Sequence, residues 1–511
     1  MSPPPESIAH SHTMLRRTTP IVRWIVVFLL LSIAYFYHSR FGFLLHPSID
    51  LLPSNLAELE YVKLLLKKHN VGPMIEYASR SIHYTSDVED RKSITKVSEA
   101  LFPQSFSRIS IADQKILPTS KPLNVQVKRS PRPDETNASG LLFGVSTTFD
   151  RFHDSRTSPV SEWSRWLTNG QGVSNGAGLI LALLNSSASD IDFAAKQLAD
   201  AGINATVLPS DPTLDMPGRY VNLVNMLYNH PTRDKRSWFA LIDDDTFFPY
   251  IHQLQNTLSN YDEKIPYYIG TFTERIDWML YNHAPFAYGG GGVFLSLPTV
   301  KKLVQSDCLA KNSDGTYLLH ADQGDRLLYN CIHQNSEITL THLPLLHQLD
   351  QFGDPSGFYE SGQQPLSLHH YKSWHQFSPH PTHTIADACG EDCVFQRFQF
   401  ADEYILSNGY SLAHYPNGID FDVDHIEHTF DAGEKNNPDL EETVFSYAFG
   451  QMRPGLSRTG RKKAWHLLDA RREGPGIVKQ VYLKRRSDDR WYKEGEAAPD
   501  LDSIVVLNWI P

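Results

Sequence analysis

Residues 238–250 read WFALIDDDTFFPY, an apolar run that ends abruptly in three aspartates. Trp238 to Ile242 shows no alternation of apolar and polar residues, which suits a strand covered on both faces, as in a parallel sheet flanked by helices. The end of such a strand is a sheet edge where ligands commonly bind. The surrounding pattern agrees. From Leu141 onward, strand-like and helix-like segments alternate: LLFGVSTTF, GLILALLN, DFAAKQLADAG, VNLVNMLYNH, WFALI, YYIG, GVFLSL and PTVKKLVQS. That order predicts an α/β layer architecture. Beyond about residue 400, runs such as YSLAHYP, IVKQVYLKR and SIVVLNWI predict a smaller β-rich C-terminal unit over 401–511.

The chain of 511 residues, 41% hydrophobic and 21% charged, can bury a large core and has room for more than one domain. A formal charge of −11, with no dense Lys/Arg stripe among aromatics, argues against nucleic acid as a partner.

The N-terminal residues set the expected compartment. Arg16, Arg17 and Arg23 precede WIVVFLLLSIAYFY, and with Ile21 and Val22 the apolar segment 21–37 is just long enough to span a bilayer. The positive-inside rule leaves residues 1–20 in the cytosol and exports the rest, as a type II anchor. A cleaved signal peptide is the alternative. Asn137, Asn185 and Asn204 open glycosylation sequons on the exported side. Four cysteines allow three pairings; Cys308 with Cys331 and Cys389 with Cys393 is the simplest. Residues 38–138 read as a stem, with a helix carrying Leu56, Leu59, Val62 and Leu66 followed by a polar, Pro-rich linker.

On an extended segment Asp243 and Asp245 point to one side and Asp244 to the other. Two carboxylates so close repel unless a cation sits between them, and a hard divalent ion, Mn²⁺ or Mg²⁺, resolves this while recruiting phosphate oxygens. The competing reading is a solvated loop after a strand. Gly289 to Gly292 lack side chains that would keep a ligand from the backbone, and Pro298 is placed to start a helix. The glycines are no phosphate P-loop, since no Lys-Ser/Thr follows them.

Taken in order, WFALIDDDTFF, YYIGTFTER, FAYGGGGVFLSLP, CLAKNSDGTYLLHADQGDRLLYNCI, LLHQLDQFGDPSGF and QPLSLHHYKSW resemble the fringe-related β1,3-glycosyltransferases (glycosyltransferase family 31), above all their plant and fungal branch. The resemblance covers roughly residues 139–400. It implies a Rossmann-like GT-A fold, a UDP-sugar donor, a Mn²⁺ ion, a glycan or glycoprotein acceptor and inversion at the anomeric carbon. It places Asp245 on the metal and Asp243 beside the ribose and the metal's waters. A histidine from a late strand completes the metal site. Alternation puts His369 and His370 on opposite faces, so one is the ligand, and alignment favours His370.

For the base that takes the acceptor's proton, the resemblance offers Asp322 and Asp325 and favours Asp325. The plainer alternative is that either aspartate caps the helix running to Cys331. Donor contacts are expected from Thr147, Thr148, Arg151 and Asp244, with Gly290 and Gly291 under the sugar; Arg156 is expected either there or in an ion pair organising the helix SEWSRWL. The implied function is a Golgi transferase moving galactose or N-acetylglucosamine. The alternative is a membrane-anchored glycan-binding relative without turnover. An intact Asp243-x-Asp245 with a remaining acid favours the enzyme.

Overall fold

The computed structural model describes residues 54–118, 120–433 and 438–511. The span expected at 21–37 lies outside them, and among the described residues no helix is long and apolar enough to cross a membrane. Two compact units are present. The helix that the leucine and valine spacing predicts is Ser54–Lys68, most of which lies in the smaller unit. The larger unit, residues 65–114 and 118–511, carries everything described below.

Its first layer is a seven-stranded mixed sheet made of β1 (Leu141–Thr148), β2 (Gly178–Leu184), β3 (Ala205–Pro209), β4 (Trp238–Ile242), β5 (Tyr268–Gly270), β6 (Val293–Ser296) and β7 (Leu340–His342). The spatial order is β3-β2-β1-β4-β6-β5-β7. Strands β3, β2, β1 and β4 run parallel, and β6 lies antiparallel between β4 and β5. All five residues of β4 are buried. Trp238, Ala240 and Ile242 enter one core and Phe239 and Leu241 the other, which is why the run carries no polar residue. Phe143, Trp166 and Phe248 interlock edge to face on the first side, with centroids 4.8 to 5.4 Å apart. Each such buried side chain contributes about 1.5–3 kcal/mol.

The chain leaves β1 toward β2 and β3 on one side and returns as β4 on the other. The carboxyl ends of β1 and β4 therefore flank a topological switch point, where a crevice opens in sheets of this kind.

The second layer is a ten-stranded sheet. It contains the C-terminal strands Lys463–Gly474, Ile477–Lys484 and Asp502–Ile510, which lie in the same compact unit as the first layer. It also contains Met74–Val88, which pairs in parallel with Asp502–Ile510 from Ile75↔Asp502 to His83↔Ile510. Ser107–Ser110 and Leu123–Lys128 flank Met74–Val88 in turn. Much of the segment read as stem is thus sheet. Met74–Val88 finds its partner in the last strand of the chain, a pairing that no local pattern announces. The helix Pro379–Thr384 packs against both the helix Val160–Trp166 and the strand Lys463–Gly474, joining the two layers. Both expected disulfides are present, Cys308–Cys331 and Cys389–Cys393.

Candidate active site

Beyond Ile242 the chain turns through Asp243–Asp245 and is pinned twice. Asp243 donates its backbone N–H to Thr246 Oγ1 (3.1 Å), and that hydroxyl donates to the Gly290 carbonyl (2.9 Å). Phe247 and Leu368 then exchange backbone hydrogen bonds of 2.9 and 2.8 Å, an isolated bridge that lays the His369–His370 segment against the aspartates.

The outcome differs from simple alternation. His369, only 3% exposed, directs Nε2 to Asp245 Oδ1 (3.0 Å) and Asp243 Oδ2 (3.3 Å). Its Nδ1 faces the Gln348 carbonyl at 3.2 Å, an acceptor only, so Nδ1 carries a proton and Nε2, aimed at the carboxylates, is the nitrogen whose proton a bound ion would replace. His370 is not on the opposite face. Its backbone is left-handed (φ 57°), which breaks the two-residue period and brings the two imidazoles together, tilted by 41° with centroids 3.8 Å apart. One ligand atom from each of Asp245, His369 and His370 falls within 4.8 Å of the others, a set able to hold a metal ion. His370, the histidine expected as ligand, is in this set and His369 joins it: His369 makes the direct contact to both carboxylates, and His370 stands beside it with Nε2 on Asp350 (3.2 Å). A carboxylate on the second ring nitrogen is the usual way a metal-ligating histidine is oriented.

Electrostatics follow this geometry. Burial alone would raise Asp245, but His369 beside it holds its carboxyl well below the ordinary range. His369 is itself raised against its burial by Asp245 and Asp243, while burial next to His369 lowers His370 to about 3. Asp244 takes a different part. Its carboxylate accepts from Arg151 Nε (2.8 Å) and Nη2 (2.6 Å) and from the Thr147 hydroxyl. Two N–H groups of Arg151 and the Asp244 carboxylate are therefore engaged with each other, where both were expected on the donor. Thr147, Thr148 and Arg151 still line the cleft with Asp243–Asp245 and both histidines, around a cavity of about 520 Å³. Arg156 pairs with Asp154 instead (2.8 Å); the helix Val160–Trp166 is tied through Glu162 to Lys372 (3.2 Å).

The glycines serve neighbouring side chains. A Cβ on Gly290 would stand 2.2 Å from the His369 ring, and one on Gly289 would stand 2.8 Å from the Tyr220 hydroxyl. Gly291 is fixed through its N–H to Gln348 Oε1 (2.9 Å) and its carbonyl to Ser367 Oγ (2.7 Å). Gly290 and Gly291 are buried and do not line the cleft, which corrects the expectation of direct donor contact. The helix Leu297–Val304 starts with Pro298 in its first turn, as anticipated.

Of the two candidate bases, Asp322 is exposed ahead of the helix Gly324–Asn335. Asp325 lies in its first turn, where it accepts from the Gly289 N–H (3.2 Å) and the Arg326 N–H (2.8 Å). Enclosure pushes its carboxyl up to about 7, and the charge of Asp243 adds to the rise. The residue before the helix is Gln323, so neither aspartate is its N-cap. Asp350, fully buried and also raised to about 7 by burial, holds His370. Sequence reasoning passed over Asp350, Tyr220, Arg219 and Trp374, although the last three line the cleft. The LLHQLDQF motif and the Trp after the histidine pair were the available signals.

A family model described as Fringe-like matches residues 216–380. This stretch is similar to the Fringe-like family. It holds Asp243–Asp245, the glycines, Asp325, Asp350 and both histidines, while β1 with Thr147 and Arg151 precedes it. Two curated relatives match part of the chain: the β-1,3-glucosyltransferase of Homo sapiens, 34% identical over 145 residues (28% of this chain, 26% of the relative), and that of Mus musculus, 31% identical over 160 residues (31% and 29%). The similarity thus spans less than a third of either relative's length. Among solved structures, the glycosyltransferase GlyE of Streptococcus pneumoniae overlaps 48% of this chain and 57% of its own, at 12% identity and a TM-score of 0.28. Mouse xyloside xylosyltransferase 1 overlaps 40% of this chain and 84% of its own, at 13% and 0.25. Overlaps that slight carry no argument beside the Fringe-like match.

Proposed function

We propose that the chain is a metal-dependent, inverting glycosyltransferase of GT-A type that moves a hexose from a UDP-sugar to a hydroxyl of a glycan or glycoprotein. The observation that carries this reading is the convergence of Asp245, His369 and His370 at the carboxyl end of β4, inside the stretch similar to the Fringe-like family. The donor set fits a divalent ion. One carboxylate and two neutral imidazoles suit Mn²⁺ better than Mg²⁺, which prefers oxygen ligands and keeps its water. When bound, such an ion offsets charge on the departing diphosphate.

The chain's own groups do the rest. Asp245, His369 and His370 hold the ion, with the Gln348 carbonyl and Asp350 fixing the two rings. Thr147, Thr148 and Arg219 face the donor from the cleft wall. Asp325 takes the proton from the attacking acceptor hydroxyl, a task suited to a carboxyl titrating near 7. Asp350 is the weaker candidate because it is wholly enclosed and engaged with His370.

Galactose and N-acetylglucosamine are the sugars the sequence resemblance suggests; the names of the two relatives add glucose and place it first. Lumenal placement in the Golgi behind a type II anchor is supported by the two disulfides and by exposed Asn137, Asn185 and Asn204. The test is a screen of the exported part, produced in a secretory host, against UDP-glucose, UDP-galactose and UDP-N-acetylglucosamine with Mn²⁺. Metal-dependent hydrolysis or transfer of one of them is expected. No turnover of any donor, with UDP still bound, would favour the glycan-binding alternative.

A further inference from the structure

The segment 372–378 walls two cavities. Lys372, Ser373 and Trp374 line the cleft described above, and His375, Gln376, Phe377 and Ser378 line a second cavity of about 480 Å³. That size is within the roughly 300–1,000 Å³ of ordinary small-molecule sites. The other walls come from the second sheet and its loops, through Tyr410, His466 and Arg490, and from Asp354. Trp374 stands at the junction, stacked on His370 (3.6 Å between centroids) and against Phe352 (4.5 Å).

The lining selects a ligand class. Arg490 is paired with both Asp354 and Asp488 at 2.7 Å, so its charge is already balanced and no cation is left for a phosphate or sulfate. His375, 5% exposed, faces the Gln351 carbonyl with Nε2 at 2.9 Å. That contact puts the ring proton on Nε2 and leaves Nδ1 an acceptor, closed off from the cavity and without a partner among the described residues. His466 Nε2 is likewise enclosed, so the two rings wall the cavity without adding charge or an open donor. Burial lowers both rings, His375 to about 4, so both are neutral at physiological pH. Phe377 and Tyr410 supply aromatic surface with centroids 5.8 Å apart. The groups open to the cavity are then the neutral amide of Gln376 and hydroxyl of Ser378, both exposed, and such groups set beside aromatic rings match a neutral, hydroxyl-rich molecule whose C–H face packs on the rings.

We propose that this second cavity is a glycan subsite, which takes neutral sugar residues of the acceptor lying beyond the one that is glycosylated. The proposal rests on the transferase reading only for the word acceptor; binding of neutral glycan by the cavity stands separately. The full chain is titrated with neutral gluco-, galacto- and manno-oligosaccharides of graded length, and with their sulfated counterparts. Ser378→Trp places an indole at the exposed rim, where Ser378 makes no side-chain cap to the helix it precedes. Phe377→Ala removes one ring, and thermal melting establishes that each variant is folded.

At least one neutral series is expected to bind more tightly with length, and both folded variants to weaken it tenfold or more without moving the affinity for UDP. Asp245→Asn is expected to lose Mn²⁺-dependent UDP binding and keep the oligosaccharide. If Asp245→Asn keeps UDP binding while Ser378→Trp blocks the glycan, the subsite stands and the transferase reading falls. Absence of binding by every neutral series, preference for the sulfated set, or folded variants that bind as the wild type does would each overturn the proposal.

Discussion

Replacing Gly290 by alanine probes the site without touching a charged group. The added Cβ would sit 2.2 Å from Cε1 and Nδ1 of His369, whereas ordinary contact begins at 3.4 Å, so the ring must retreat by about 1.2 Å. It cannot do so and keep its partners. Gln348 O at 3.2 Å fixes one edge, and Asp245 and Asp243 at 3.0 and 3.3 Å fix the other. Overpacking of this kind lowers stability by about 1–3 kcal/mol. Displacing a metal-ligating histidine from its support lowers metal affinity by roughly 10–100-fold. Calorimetric titration of Mn²⁺, followed by UDP, into Gly290→Ala and wild type measures the second effect, and thermal denaturation the first. Gly291→Ala is the control, because its Cβ meets Thr271 Cγ2 at 2.7 Å and leaves the histidine alone. A folded Gly290→Ala protein with wild-type Mn²⁺ affinity would refute the claim that the glycine exists to seat His369.

Asp325→Asn should keep UDP binding and lower turnover by something like 10²–10⁴, and the rise in wild-type rate as pH increases through about 7 should vanish. The same variant should melt higher than wild type at pH 8: the unfolded carboxyl ionises near 3.8 and the folded one near 7, so ionisation opposes folding increasingly across that window and fully above it. Cys308→Ser with Cys331→Ser should lower stability by about 2–4 kcal/mol, read from denaturant midpoints, and unreduced peptide mapping of wild type should recover the linked pair. Endoglycosidase treatment of protein from a secretory host should lower its mass through Asn137, Asn185 or Asn204; an unchanged mass would count against export.

What could be read in the sequence was whatever short-range pattern encodes. The bare apolar stretch Trp238–Ile242 announced a strand buried on both faces, and the Asp243-x-Asp245 spacing announced two carboxylates on one side of its end. Of the three pairings open to the four cysteines, the simplest is the one present. Three features were hidden because they depend on backbone angles or on distant chain. Alternation assigned His369 and His370 to opposite faces, but a left-handed residue at 370 turns both rings inward. The glycines looked like an open bed for a sugar, yet their bareness makes room for His369 and Tyr220, which reach them from other elements. Met74–Val88 lay in a region that read as linker because its partners are the last strand of the chain and two short strands of its own neighbourhood.

The most direct measurement is UDP binding to the full chain with and without Mn²⁺, for wild type and Asp245→Asn. Asp245 supplies the single carboxylate of the three-residue cluster and is 8% exposed, so the amide should fold into the same place while lowering the ligand charge by one. Mn²⁺ should strengthen UDP binding in wild type and have little effect in the folded variant. Equal Mn²⁺ dependence in the two proteins would mean that the aspartates at the end of β4 hold no metal, and the transferase account of this site would fail.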